Sequence, residues 1–147
     1  MRLIALVLIL IAPTWAVAQK FDKTVKLSDI GPFYVELMDG ADNGCWTNLM
    51  EAKSYAAGQI DIAGGKVVEQ SENPKAKAVF TIVVNAARVE SGPCFGFVQV
   101  SVLRPDYLIG VNVIVYYSQY ARPAVKGSNL NNFTLDVIKE AVAEWKD

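Results

Sequence analysis

The run DNGCWTN, Asp42 to Asn48, gathers a cysteine, a tryptophan and several turn-forming polar residues into one short stretch. Such a cluster suits either a reactive thiol or a cross-link that staples a fold. The rest of the chain decides between them. It has 2 cysteines, Cys45 and Cys94, and 0 histidines. Without imidazole there is no Ser-His-Asp or Cys-His nucleophile and no His-ligated metal. Neither cysteine lies in a CxxC pair, so thiol–disulfide exchange of that kind is not indicated. No glycine-rich phosphate loop occurs.

Two oxygen-based chemistries deserve a count. The acidic turn DGADNG, Asp39 to Gly44, places glycine at position 6 of a calcium loop. Position 3 is then Ala41 and position 12 is Met50, so the ligand register fails. Asp39, Asp42 and Glu51 could converge as the acid and base of a carboxylate hydrolase, a reaction governed by a separation that spacing along the chain does not fix. The sequence therefore assigns no catalytic residue, no metal ligand and no cofactor. Asn132-Phe133-Thr134 matches an N-glycosylation sequon, but Asn131 or Asn132 also sits where the last helix needs an N-cap, and capping is the expectation.

The chain opens MRLIALVLILIAPTWAVAQK. Arg2, an apolar run from Leu3 to Ala12, and Ala16-Val17-Ala18 form the three regions of a secretory signal peptide. Residues 1–18 are expected to be cleaved, leaving residues 19–147 as a single α+β domain. The apolar run is broken by Pro13, short of the roughly 20 residues of a membrane span, so no stable membrane insertion is expected after cleavage. Removing the segment removes only Arg2, leaving 13 basic and 15 acidic residues. That balance gives no electrostatic reason to bind nucleic acid or an anionic membrane. In an exported chain an even pair of cysteines reads as a disulfide.

The elements that position these residues follow from periodicity. Pro32 to Met38 has strand composition, and Asp39 to Gly44 has turn composition. Trp46, Leu49, Met50, Ala56, Ala57 and Ile60 recur at helical spacing up to Gly64-Gly65, with Asn48 and Glu51 spaced as a loose capping box. A short strand is expected at Lys66 to Glu69. Three longer strands are expected at Val79 to Val89, Phe95 to Leu103 and Ile109 to Tyr120. The chain closes with a helix whose apolar stripe is Leu135, Ile138, Val142 and Trp145. The expected order is β-α-β-β-β-β-α, a mainly antiparallel sheet with two helices packed on one face and one disulfide.

Strand parity selects the inner face. Phe80, Ile82, Val84 and Ala86, then Val98, Val100 and Val102, then Val111, Val113, Val115 and Tyr117 give a core nearly free of polar groups. The opposite choice would bury Thr81, Asn85, Gln99, Ser101, Asn112 and Ser118, at roughly 1–3 kcal/mol for each unpartnered group. Cys94 has inner parity and Cys45 precedes the first helix, so the two sulfurs are expected to meet. The outer face then mixes aromatics with small polar residues. Phe95, Phe97, Tyr116 and Tyr120 are its candidate partner-binding residues, with Phe97 expected opposite Tyr116. Such a face suits protein contact, although cross-strand aromatic pairs also serve sheet stability alone.

The functional expectation is a small periplasmic or secreted non-enzymatic protein, an accessory module of the cell envelope. Its partner would be another envelope or secreted protein, or itself as a homodimer. The alternatives are an exported hydrolase inhibitor using Arg104 to Leu108, with Arg104 and Tyr107, or Arg122 to Asn132, and a hydrolase using Asp39, Asp42 and Glu51.

Overall fold

A computed structural model describes residues 27–69, 76–90, 92–106, 111–123 and 128–144. The expected signal peptide lies outside the described residues, as does Trp145. A four-residue helical turn, α1 (Leu27–Ile30), leads into β1 (Phe33–Ala41). Helix α2 (Leu49–Ile62) follows, then β2 (Ala78–Arg88), β3 (Cys94–Asp106), β4 (Val111–Pro123) and helix α3 (Asn131–Ala143). The strands form one sheet in the order β1-β2-β3-β4. Strands β1 and β2 are parallel, joined through α2, whereas β2–β3 and β3–β4 are antiparallel.

The fold class is α+β with one disulfide, and one expected strand is corrected. Lys66 to Glu69 contributes an isolated bridge, Phe33 to Val67, rather than a strand of the sheet. Phe33 N–H donates to the Lys66 carbonyl at 2.7 Å, and Val68 N–H donates to the Phe33 carbonyl at 2.8 Å. Among the described residues the segment's backbone pairs with the first residue of β1 and no further. A run this short, lying beside an edge, has no second strand to extend along.

The inner face is the one that alternation selects. Phe80, Ile82, Val84, Val98, Val100 and Val102 are each no more than 1% exposed. Helix α2 meets them with Ala52, Ala56 and Ile60, all fully buried and spaced four apart. Two alanines in that stripe let the helix axis approach the sheet closely. In α3 the buried residues are Thr134, Val137, Ile138, Ala141 and Val142. Leu135 is only half-buried, so the stripe is centred one position away from the expected one. Thr134 is tolerated there because its hydroxyl donates to the Leu130 carbonyl at 2.8 Å.

Both expected caps resolve differently. Asn48 precedes α2, yet its side chain donates to the Glu51 carboxylate at 2.9 Å instead of accepting a helix N–H. At α3 the expected role of Asn131 or Asn132 falls to Asn129, whose Oδ1 accepts the Asn131 N–H at 3.2 Å.

The largest correction lies in β4. Ile114 is opposite Leu103, but Tyr116 is opposite Val102, so the ladder shifts by one residue at Val115. One extra residue in one strand exchanges the two rows beyond it. Phe97 is opposite Ala121 rather than Tyr116, a displacement of five residues: pairing Leu103 with Ile114 instead of near Gly110 accounts for four, and the shift at Val115 for the fifth. Tyr116 and Tyr120 are opposite Val102 and Val98, both on the helix-covered row of β3, and Tyr117 is opposite Ser101.

Candidate interaction surface

The opening cluster is a staple. Cys45 and Cys94 form a disulfide with a Cα–Cα distance of 5.7 Å and a sequence separation of 49. Both are fully buried, and Trp46 is buried beside them in the same core. The turn ahead of Cys45 needs two left-handed residues, Asn43 with φ 51° and Gly44 with φ 72°, which accounts for the asparagine and glycine there. The Leu130 N–H donates to the Cys45 carbonyl at 2.7 Å. Asn131 accepts the Thr47 N–H at 3.0 Å and donates to the Thr47 hydroxyl at 2.9 Å. Arg88, opposite Cys94 in the ladder, donates to the Asn43 carbonyl at 3.1 Å and the Gly92 carbonyl at 2.9 Å. One end of the sheet is therefore tied to the starts of both long helices. Sequence reading does not find the tying roles of Arg88 and Asn131, because each acts on groups remote in the chain.

The carboxylates have local tasks. Asp39 accepts the Ala41 N–H at 2.9 Å, and Glu51 accepts from Asn48. Asp39, Asp42 and Glu51 are all exposed. Among the described residues no group of three or more Cys, Asp or Glu side chains could hold a metal ion. Arg104 lies within β3 and is exposed, so the loop expected to begin there begins later, and Tyr107 falls outside the described residues.

The outer sheet face is the remaining candidate, and the ladder orders it into rows. Glu36, Thr81, Ser101 and Tyr117 occupy one row. Thr81 is 3% and Ser101 5% exposed, although neither belongs to the helix-covered face. Beyond them come Met38, Val83, Gln99 and Gln119, then Gly40, Asn85, Phe97 and Ala121, then Ala87, Phe95 and Pro123. These three rows contain no charged residue. Met38 is 51% and Phe95 45% exposed, and Phe97 is half-buried. The uncharged rows begin where the disulfide end of the sheet is tied, so Phe95 and Phe97 follow directly on the cross-linked Cys94.

The described residues define a small α+β protein: four strands in one sheet, two long helices on one sheet face, and one disulfide at one end of the sheet. No family model matches the chain, and no curated protein matches it. Solved structures do. A point variant of PelC from Paraburkholderia phytofirmans, a dodecamer, is 15% identical over 80% of this chain and 90% of that one, with a TM-score of 0.53. A second crystal form of the PelC dodecamer, also from Paraburkholderia phytofirmans, has the same identity and coverage and a TM-score of 0.50. At this identity the likeness shows the fold.

Proposed function

We propose that this is an exported, non-enzymatic accessory protein of the cell envelope, which works by holding another protein against its outer sheet face. The observation that carries the reading is the set of three uncharged rows containing Phe95 and Phe97, set on backbone fixed by Cys45–Cys94. Contact surfaces are depleted in charge at their centre and enriched in aromatics. Residues 1–18 and the formed disulfide support export to an oxidising compartment, periplasmic or extracellular. The lack of histidine and the pairing of both cysteines support a role without catalysis.

The anchor set narrows to Phe95 and Phe97, because the register places Tyr116 and Tyr120 in other rows. PelC is a dodecamer, and an assembly made of copies of this chain is one form that the contact can take.

Phe95→Lys with Phe97→Lys tests the reading. Neither side chain lies among the buried core residues, so the melting temperature is expected to stay within a few degrees of wild type, as for surface substitutions worth about 0.5 kcal/mol. Capture of a partner from native envelope extract, identified by mass spectrometry, is expected to be lost. Retained capture at wild-type level would reject the face as the contact.

A further inference from the structure

The turn ahead of Cys45 carries a reactive pair. Asn43 is followed by glycine, whereas every other asparagine of the chain precedes a bulkier residue. A backbone amide attacks the asparagine side chain before it most readily when it belongs to glycine, which brings no side chain to hinder the approach. Asn43 and Gly44 are both exposed. Among the described residues the Gly44 N–H meets no acceptor, and no group engages the Asn43 side-chain amide.

The same peptide unit is restrained. Asn43 has φ 51°, in the left-handed region, where the following amide nitrogen points away from the side chain. Arg88 Nε donates to the Asn43 carbonyl at 3.1 Å. That carbonyl and the Gly44 N–H lie in one rigid plane. The nitrogen reaches the side chain only when the plane turns, and turning it carries the carbonyl away from Arg88. Arg88 is anchored in turn, because it stands opposite Cys94 and its Nη1 donates to the Gly92 carbonyl at 2.9 Å.

We propose that Asn43 is a site of spontaneous covalent conversion to aspartate and isoaspartate, and that Arg88 sets its pace. The Gly44 nitrogen bonds to Cγ of Asn43, and its proton leaves with the side-chain nitrogen as ammonia, closing a cyclic imide. Water then adds to one of the two imide carbonyls and breaks that carbon's bond to nitrogen. Opening at Cγ gives aspartate on an unchanged backbone. Opening at the main-chain carbonyl gives isoaspartate, which routes the backbone through Cβ and Cγ and adds one atom between Asp42 and Cys45. The added atom displaces the carbonyl that Arg88 holds and the Cys45 N–H bond to the Asp42 carbonyl, 3.0 Å long. The disulfide still retains Cys45, so this end of the sheet loosens without being reduced. The conversion is independent of any contact at Phe97.

The test ages the disulfide-bonded exported chain under native conditions. Mass spectrometry of its digest follows the amide-to-acid mass gain at each asparagine, and isoaspartate-specific methylation counts the rearranged product. Wild type is expected to convert first at Asn43. Arg88→Ala should convert Asn43 about tenfold faster, the worth of one charge-assisted hydrogen bond. Asn48, Asn129 and Asn131 should keep their wild-type pace and serve as internal clocks. Earlier conversion at another asparagine of wild type would overturn the site, a result that does not depend on how the variant folds. An unchanged pace at Asn43 in Arg88→Ala would overturn the role of Arg88. So would equal acceleration at all four asparagines, which would assign the effect to general loosening.

Discussion

Replacing Cys45 and Cys94 together by alanine is expected to lower the free energy of unfolding by about 4 kcal/mol, the chain-entropy value for a closed loop of this length. The sequence separation of 49 sets that figure. It is a large part of the roughly 5–15 kcal/mol by which proteins of this size are stable. Truncating two fully buried side chains adds a smaller packing loss. The effect should concentrate at one end of the molecule, where Leu130, Asn131 and Arg88 converge on the segment around Cys45. Urea unfolding of the double variant measures it. A loss below about 1 kcal/mol would mean that the hydrogen bonds to Asn43, Cys45 and Thr47 already hold the segment in place.

The second large effect is expected at Gly96. A Cβ there would lie 2.6 Å from both Cα and Cβ of Ala86, and it would overlap the carbonyl oxygen of Asn85. Two of those three atoms are backbone of β2, paired with β3 across the centre of the sheet, so relief requires separating the two strands. Gly96→Ala should therefore destabilise by about 3 kcal/mol, the upper part of the range for overpacking. Gly58 provides the opposite case. It lies inside α2, exposed, and its Cβ would meet nothing within 4 Å. Gly58→Ala should stabilise by about 0.5–1 kcal/mol, because alanine restricts the unfolded chain and suits a helix. Thermal or urea melts of the two variants should move in opposite directions. A shift of the same sign in both would contradict the packing described for Gly96.

The residues that alternation reads correctly are those whose partners alternate too. On β2 and β3 every second residue from Phe80 to Ala86 and from Val98 to Val102 is apolar and buried, because both strands run unbroken through the centre of the sheet. The disulfide was legible for a related reason: Cys94 has the parity of that face and Cys45 precedes a helix that covers it. The legible pattern ends at Val115. Val-Tyr-Tyr offers no glycine or proline to mark an inserted residue, and both rows of β4 are apolar enough to suit either parity. Expecting Phe97 opposite Tyr116 follows chiefly from starting the β3–β4 ladder with Leu103 near Gly110 instead of at Ile114, with one further residue lost by counting through that point. The caps escaped for a different reason. Asn48, Asn129 and Asn131 are chemically equivalent, and the backbone bends around them decide which oxygen reaches a free amide. Composition was still sufficient to exclude imidazole chemistry, and the disulfide leaves no thiol in its place.

The central claim is that the outer face at Phe97 touches another protein in the living cell. A photo-reactive phenylalanine analogue installed at Phe97, with a control at exposed Glu140 on α3, tests this where the protein resides. Illumination of intact cells is expected to give a discrete cross-linked protein band from the Phe97 position and none from Glu140. No band at Phe97, or the same pattern from both positions, would contradict a contact through the sheet face.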